Sequence, residues 1–255
     1  MRPKKAIVSG LKKIEYGSAI AVRLTRFTGK SKTYLHPKHL IAQNPWYITH
    51  IKKGDRILDV GCSSGQSSIK AAKTAQKVVG VDFDESLLRL AKETAKREKI
   101  KNVEFRKVNL EKGLKYKENS FDKIIFLDVL EHLVERDKIL KDIKRVLKKD
   151  GLVFVGVPNK DTSWKKRQRE VGVCSFSDPD HKIEFSKKEI LDLLKKHGFK
   201  IINVSFSTFD TAYRGLYDIV GAFSLSLYRS ISKWRQDKAN KYPQEASGFQ
   251  IIAQK

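Results

Sequence analysis

Short runs of β-branched and aliphatic residues alternate, from Asp55 onward, with longer stretches in which leucine and isoleucine recur at helical spacing among lysines. This alternation is typical of parallel β-strands that are joined by crossover helices. The chain is therefore predicted to form an α/β fold around a seven-stranded, mostly parallel sheet with helices on both faces. The predicted strands are Arg56–Val60, Lys77–Val81, Val103–Val108, Lys123–Leu127, Leu152–Val157, Lys200–Ser205 and Phe249–Ala253.

Three segments do not follow this alternation: residues 1–50, 158–186 and 207–246. Because ligands of open parallel sheets bind outside the carboxyl ends of the strands, additions there can build an acceptor pocket. We predict an N-terminal helical cap at 1–50 and a second domain at 51–255, with substrate-side insertions at 158–186 and 207–246. The helices predicted between the strands are Gln66–Thr74, Asp84–Glu98, Val134–Leu147 and Lys187–His197.

The last of these segments contains an apolar stripe with three- and four-residue spacing, which predicts one amphipathic helix within residues 212–236. Stripes of this kind usually belong to a core. We expect the helix to pack over the active site as a lid, and the alternative is that it lies on an anionic membrane surface. The stripe consists of Leu216, Val220, Phe223, Leu227, Ile231 and Trp234.

Composition narrows the class of protein. With 255 residues, of which 40% are hydrophobic and 32% charged, the chain can bury the core of one domain with additions. The net charge of +24 is spread along the chain. It indicates either a solvated lysine-rich surface or attraction to an anion such as RNA, an acidic lipid headgroup or a phosphorylated metabolite.

The two cysteines, Cys62 and Cys174, lie far apart and lack the CxxC spacing of metal and redox sites, so no disulfide partner is expected. Charged residues interrupt the basic N-terminus, which is unlike a signal peptide. No window holds the run of about 20 apolar residues that a spanning helix needs. We therefore expect a cytoplasmic protein that contacts a membrane at most peripherally.

The segment RILDVGCSSG, Arg56–Gly65, runs a predicted strand into a turn of small residues and then into a helix. Such a turn lets a ligand approach the backbone and the helix N-terminal amides. NAD is disfavoured because the G-x-G-x-x-G pattern is missing. The same residues match the G-x-S-x-G nucleophile elbow, which makes a serine hydrolase using Ser63 a remote alternative, although no acid and histidine are singled out by their spacing.

A third interpretation of the loop accounts for more residues. Asp82 closes the second predicted strand, seventeen positions after Gly65. A carboxylate at this place can accept hydrogen bonds from both hydroxyls of a ribose. The loop and Asp82 together therefore predict a ligand of the nucleoside type.

Several motifs extend this interpretation: LDVGCSSG, VVGVDFDESLL, VEFRKVNLEKGLKYKENSFDKIIFLDVLEHL and LKKDGLVFVGVPN within about residues 45–205, then SGFQIIAQK. In this order they resemble the class I S-adenosylmethionine-dependent methyltransferases, in particular the ubiquinone-biosynthesis O-methyltransferase type. The resemblance implies a Rossmann-like α/β fold with an antiparallel last strand. It also implies S-adenosyl-L-methionine as the cofactor and methyl transfer as the reaction.

The resemblance further implies a set of cofactor-binding residues. Asp82 would hold the ribose, Phe83 would flank the adenine, and Asn109 and Leu110 would meet the adenine edge. Ser63 replaces the usual glycine and Asn109 the usual aspartate, but serine is small and an amide oxygen can accept the same hydrogen bond. The loop beneath the methionine part would contain Asp59, Gly61, Ser63 and Gly65, and Cys62 and Asp128 complete the predicted set.

Methyl transfer to a hydroxyl also needs a base or a metal to remove the proton. The candidates are Asp128, Glu131 and His132 near the end of the fourth strand, and His181 in the insertion after the fifth. Their order is similar to the metal-binding arrangement of small-RNA 2′-O-methyltransferases, and two carboxylates with two imidazoles could hold Mg²⁺ or a transition metal. The metal-free interpretation is favoured, so His132 and His181 are predicted to be catalytic and no metal is assigned.

Two other histidines, His36 and His39, are expected to lie in a solvated surface loop. The acceptor is expected to be an oxygen or nitrogen atom of a small molecule, a lipid precursor or a glycan. The positive charge supports RNA as an alternative acceptor. A catalytically silent cofactor-binding protein is a third possibility, because fold alone does not establish activity.

Overall fold

The structure, a computed structural model, describes residues 2–32, 34–41 and 45–255, and its contacts divide the chain into two compact units. The helical unit comprises Met1–Gln43, Asn159–Pro179 and Phe206–Gly248. The sheet unit comprises Asn44–Pro158, Asp180–Ser205 and Phe249–Lys255. The three segments that interrupt the predicted alternation thus fall largely in the helical unit, while the linear division at residue 50 stays a prediction.

The strands of the described chain form one seven-stranded sheet, with β-branched and aliphatic residues buried along each central strand. They are β1 Arg56–Val60, β2 Lys77–Asp82, β3 Val103–Lys107, β4 Phe121–Leu127, β5 Leu147–Pro158, β6 Lys200–Phe206 and β7 Gly248–Gln254. Their order is β3-β2-β1-β4-β5-β7-β6. Strands β1 to β5 pair in parallel and β7 is antiparallel, which confirms the predicted Rossmann-like α/β fold.

The α-helices are α1 Arg2–Glu15, α2 Gly17–Phe27, α3 Pro37–Leu40, α4 Gln66–Ala72, α5 Glu85–Arg97, α6 Arg136–Val146, α7 Ser163–Glu170, α8 Lys187–Lys196, α9 Arg214–Phe223 and α10 Leu225–Lys241. Short 3₁₀ turns occupy Ile48–His50, Leu110–Lys112, Leu130–His132 and Pro243–Glu245. The helices that sequence predicts between the strands are present, with ends shifted by up to two residues. Side-chain caps fix several starts, including a capping box between Ser186 and Glu189 at α8.

The strand order reverses between β1 and β4, because the chain runs outward through β2 and β3 before β4 returns to the other side of β1. Such a reversal opens a crevice at the carboxyl ends of the strands, where ligands of this architecture bind. The loops that leave β1, β2 and β4 all start at this edge. They carry most of the residues that the sequence nominates for the cofactor.

Among the described residues, two clusters of buried apolar side chains hold the sheet unit together. One contains Tyr47, Ile51, Ile57, Ala71, Ala72, Ala75, Val78, Ile125, Phe154 and Ile252, and the ring of Tyr47 stacks on that of Phe154. The other contains Cys62, Ile69, Leu88, Ala91, Ala95 and Phe105, so it lies against α4 and α5. The first residues of the β1 loop are therefore anchored in a packed core.

Close backbone contact between helices shapes the helical unit. A Cβ atom on Gly215 of α9 would overlap the carbonyl oxygen of Ile14 and lie 2.7 Å from the amide nitrogen of Gly17. Only glycine at position 215 allows this approach, since any side chain would meet backbone atoms. None of the helices in the described part of the chain combines the length and apolar character required to cross a bilayer.

The segment 212–236 differs from its prediction. It forms two helices, α9 and α10, which are separated at Ser224, whose hydroxyl accepts a hydrogen bond from the Leu227 amide. The predicted apolar stripe is not a core either, since four of its members are exposed: Leu216, Phe223, Leu227 and Trp234. The buried side of the two helices contains polar residues instead, including Asp218, Tyr228 and Arg235.

Candidate active site

The loop after β1 has a backbone that restricts which residues it accepts. Gly61 and Gly65 have φ angles of +74° and +77°, in the left-handed region that favours glycine. A Cβ atom on Gly61 would overlap Val129, and one on Gly65 would lie 2.7 Å from Ala91 Cβ. Ser63 also has a positive φ of 48°, so it occupies a glycine-like conformation.

Asp82 at the end of β2 holds this loop in place. Its Oδ2 accepts a hydrogen bond from the Ser63 amide (2.8 Å), and its Oδ1 accepts one from the Asp84 amide (3.0 Å). The amides of Gly61 and Cys62 both donate to the carbonyl oxygen of Val81. The structure thus brings the loop and Asp82 together as the sequence predicts, and each carboxylate oxygen retains lone-pair capacity for a further donor.

Asp59 and Cys62 lie beneath the loop and not on its outer surface. Asp59 is 2% exposed, and its Oδ2 accepts a hydrogen bond from the Ser68 hydroxyl at 2.5 Å. Burial raises the pKa of Asp59 to about 7, although the Ser68 hydrogen bond opposes the shift. The thiol of Cys62 lies in the apolar cluster, where burial also raises its pKa. Asp59 thus ties β1 to α4, and the Cys62 thiol donates to the carbonyl oxygen of Ser63 within the loop.

The residues nominated for the adenine differ in accessibility. The Phe83 ring is 71% exposed directly after β2, whereas Leu110 is buried in the 3₁₀ turn after β3. Asn109 is exposed, but its Oδ1 already accepts the amide of Glu111 (3.0 Å) as a helix cap. Asp128 is exposed after β4 with a φ of +56°. Asn109 thus has a local structural role that its motif position did not reveal.

A compact cluster of histidines and carboxylates follows β4. The ring centroids of His132 and His181 are 4.7 Å apart in an edge-on arrangement. The Nδ1 atom of His181 lies 3.0 Å from Glu184 Oε1, and its Nε2 lies 3.9 Å from Glu131 Oε1. Glu131, Glu184 and His181 are largely buried. The structure thus brings together two residues separated by 49 positions in sequence.

The backbone explains how this cluster is assembled. The amides of Lys182 and Ile183 both donate to the carbonyl oxygen of Glu131, so the segment around His181 is tied to the turn that follows β4. Glu184 was missed in the sequence. The spacing His181-x-x-Glu184 is the signal that could have found it, because a carboxylate three residues away can orient an imidazole.

His36 belongs to a different environment from the expected solvated loop. Its Nε2 lies 3.1 Å from Asp218 Oδ2, while its Nδ1 accepts the amide of Lys38 and caps α3. Asp218 also accepts hydrogen bonds from the hydroxyls of Ser18 and Tyr228. His36 is therefore part of the internal hydrogen bonding of the helical unit.

Comparison of the sequence with known protein families identifies the class of enzyme. Residues 51–198 match the family model described as a methyltransferase domain, which is more than half of the chain. The chain belongs to the class I S-adenosylmethionine-dependent methyltransferases. It is accordingly a methyltransferase, which favours the cofactor interpretation of the β1 loop over the hydrolase interpretation of Ser63.

Curated relatives include two ubiquinone biosynthesis O-methyltransferases. The protein from Pelagibacter ubique is 30% identical over 176 residues, which span 63% of this chain and 72% of the relative. The protein from Coxiella burnetii is 32% identical over 132 residues, which span 50% of this chain and 55% of the relative. The chain spans about half of the length of several of the relatives it matches.

Solved structures agree on the fold. A methyltransferase from Methanosarcina mazei superposes with a TM-score of 0.59 at 23% identity, covering 84% of this chain and 98% of that protein. The [4+2]-cyclase SpnF superposes with a TM-score of 0.58 at 21% identity, covering 82% of this chain and 79% of that one. The same fold therefore occurs in a protein named for a different reaction, and the acceptor has to be argued from the site.

Proposed function

We propose that the protein transfers the methyl group of S-adenosylmethionine to a hydroxyl oxygen of a small-molecule or lipid-precursor acceptor. The observation that carries this proposal is the cluster of His132, His181, Glu131 and Glu184 next to the carboxyl end of β4. An oxygen acceptor must lose its proton as it is methylated, and a carboxylate-oriented imidazole is suited to take it. The names of the O-methyltransferase relatives support the same class of acceptor.

The cofactor would bind along the switch point of the sheet. Asp82 would accept the ribose hydroxyls, Phe83 would lie against the adenine, and the backbone from Gly61 to Gly65 would line the methionine part. Leu110 and Asn109 would border the adenine edge, and Asp128 would approach the cofactor from the end of β4. When bound, the cofactor supplies an electrophilic methyl group, and the protein mainly holds the acceptor in line with it.

Within the cluster, His181 would be the base that receives the acceptor proton. If its Nδ1–H donates to Glu184, its Nε2 carries the lone pair that can accept a proton. The edge-on ring of His132 would help to position the acceptor. An RNA acceptor remains the alternative that the net charge of +24 favours.

Calorimetric titration with S-adenosylmethionine, S-adenosylhomocysteine and NAD tests the cofactor assignment. The Asp82→Ala variant is expected to weaken binding of the first two about 100-fold or more, because two hydrogen bonds to a charged group are lost. The affinity of Asp82→Asn, which keeps the shape of the side chain, should fall between those of the unchanged protein and of Asp82→Ala. Asp122→Ala is the matched control, because Asp122 lies near the amino end of β4 whereas Asp82 lies at the carboxyl end of the parallel strand β2. Binding of NAD alone, or no binding, would contradict the proposal.

The base assignment is tested by turnover on a panel of small hydroxyl acceptors. His181→Ala is expected to lower kcat by about 10²- to 10⁴-fold, while the affinity for S-adenosylmethionine stays unchanged. Glu184→Gln should show a smaller loss and an altered pH profile. His50→Ala, outside the cluster, is the control. Equal turnover by His181→Ala and the control would remove His181 from the reaction.

A divalent metal at the same cluster is the second candidate. The ligand atoms of Glu131, His132 and His181 all lie within 4.8 Å of one another, and Glu184 orients His181 as carboxylates commonly orient metal-binding histidines. A bound metal would polarise the acceptor hydroxyl. Calorimetry with Mg²⁺, Mn²⁺ and Zn²⁺ separates the two roles: a metal signal that is lost in His132→Ala and His181→Ala supports the metal, and one that survives in both excludes these ligands.

A further inference from the structure

The ends of α2 and α9 present large apolar side chains to solvent. The hydroxyl of Thr28 donates to the carbonyl oxygen of Ala222 at 2.6 Å, which places the ends of the two helices side by side. Phe27, which precedes Thr28, and Phe223, which follows Ala222, are 86% and 57% exposed. We call the surface formed by Arg23, Arg26, Phe27, Lys30, Lys32, Tyr34, Phe223 and Leu227 the basic tip.

Exposed apolar residues recur at a regular spacing across the helical unit. Residues seven apart lie on the same side of an α-helix. Four such pairs are exposed in the described residues: Ile7 and Ile14 on α1, Ile20 and Phe27 on α2, Leu216 and Phe223 on α9, and Leu227 and Trp234 on α10. Each of the four long helices thus keeps an apolar side uncovered. The pairs on α2 and α9 end at Phe27 and Phe223, so the exposed apolar sides of these two helices lead to the basic tip.

The charge around the basic tip has one sign. No aspartate or glutamate occurs from Tyr16 to Gly54, whereas this stretch contains Arg23, Arg26, Lys30, Lys32 and Lys38, all of which are exposed. In α9 the acidic residue is Asp218, which is buried and hydrogen-bonded to Ser18 and Tyr228. The exposed surface near the tip is therefore strongly cationic.

A groove at the tip combines both properties. It is lined by Ala19, Val22, Arg23, Arg26, Phe27 and Tyr34. The Arg26 guanidinium lies over the Tyr34 ring, 4.7 Å from its centroid, so that one end of the groove is aromatic and cationic. Such a groove can accept a phosphate next to an acyl chain, because arginine binds phosphate oxygens while the apolar wall takes up hydrocarbon.

We propose that the basic tip docks the protein on an anionic phospholipid bilayer. The arginines and lysines would contact headgroup phosphates, while Phe27, Phe223 and Leu227 would enter the boundary of the acyl chains. Single-stranded RNA would also satisfy the charge and could stack on the aromatic rings. The aliphatic members of the exposed pairs, such as Ile20 and Leu216, favour the bilayer, because they gain from hydrocarbon contact and not from stacking.

Cosedimentation of the 255-residue chain with vesicles tests this proposal. We expect binding to vesicles of phosphatidylcholine with phosphatidylglycerol, and little binding to phosphatidylcholine alone. Arg23→Gln/Arg26→Gln should lower the partition coefficient about 25-fold, since each basic residue near an anionic surface contributes about fivefold. Phe27→Ser/Phe223→Ser should lower it at least about tenfold. These side chains are exposed, and circular dichroism checks that both variants stay folded.

Matched controls come from the sheet unit. Lys92→Gln/Lys96→Gln on α5 removes the same charge, and Val134→Ser removes an exposed apolar side chain; both should bind vesicles as the unchanged protein does. The proposal is overturned if the protein ignores anionic vesicles at low salt, if tip and control variants bind alike, or if the tip variants lose RNA binding and keep vesicle binding. The experiment needs no acceptor, so its result is independent of the proposed reaction.

Discussion

Replacing Glu15 with alanine is expected to lower the free energy of unfolding of the helical unit by about 3–5 kcal/mol, as when one partner of a buried ion pair is removed. Glu15 is 2% exposed at the end of α1. It lies 3.1 Å from Lys12 Nζ, and it accepts hydrogen bonds from Arg214 (2.8 Å), Trp164 (3.2 Å) and Gln168 (3.2 Å). One carboxylate thus joins α1, α7 and α9, the three separate segments of the unit.

Urea unfolding followed by tryptophan fluorescence measures this effect. In a Trp46→Phe background the remaining tryptophans, Trp164 and Trp234, both belong to the helical unit. Asp237→Ala, an exposed position on α10, is the control for losing a carboxylate. A Glu15→Ala variant as stable as this control would show that the carboxylate does not hold the three segments together.

A double variant identifies the physical cause. Most of the cost of Glu15→Ala is expected to come from cations that lose their counterion while partly buried. Glu15→Ala/Arg214→Ala should therefore lose less stability than the sum of the two single changes. Simple additivity would mean that the carboxylate acts through packing and not through its charge.

The fold of the sheet unit could be predicted because its central strands β1, β2, β4 and β5 contain runs of buried apolar residues. Arg56–Val60 was predicted with its observed bounds, and Lys200–Ser205 differs by one residue. The burial along the central strands is encoded in adjacent residues, so the pattern of apolar residues alone detects it. The glycines of the β1 loop stand out in the sequence for a related reason, since the positive φ angles of Gly61 and Gly65 are a local property of the backbone.

The helical unit could not be predicted in this way, because polar contacts between distant segments assemble it. The sequence pattern of α9 and α10 points to Leu216 and Trp234 as core, yet these are exposed and Asp218 is buried. Burial opposes ionisation of Asp218, but hydrogen bonds from His36, Ser18 and Tyr228 outweigh it and lower its pKa to about 2. Apolar periodicity does not register a helix face that is buried through hydrogen bonds.

The candidate active site could be predicted only in part. His132 follows β4 and was found as part of a motif, whereas its neighbour His181 comes from an insertion, and only the fold shows that their rings are 4.7 Å apart. Glu184 had no motif and was missed. Contacts between residues far apart in sequence depend on how the chain folds back on itself. Here the Lys182 amide donates a hydrogen bond to the Glu131 carbonyl oxygen and brings the two segments together.

Stability is expected to fall with rising pH because of Asp59, whose pKa of about 7 in the folded protein exceeds that of an unfolded aspartate, about 3.9. Well below pH 4 the carboxyl group is protonated in both states, so it does not change the free energy of unfolding. Between about pH 4 and 7 the unfolded chain ionises while the folded one keeps its proton. A pKa difference of about three units lowers the free energy of unfolding by about 4 kcal/mol across this window, and the loss stays constant at higher pH.

Asp59→Asn keeps the shape of the side chain and removes its ionisation, so the variant should gain about 4 kcal/mol relative to the unchanged protein between pH 4 and pH 8. Urea unfolding at each pH measures the difference in the free energy of unfolding between the variant and the unchanged protein. Groups that titrate alike in both proteins cancel in this difference. Asp122→Asn provides a contrast of opposite sign: burial opposes its ionisation, but hydrogen bonds from Lys148 and the Arg56 amide prevail and lower its pKa. A pH-independent difference for Asp59→Asn would mean that this carboxylate is ionised beneath the loop at neutral pH.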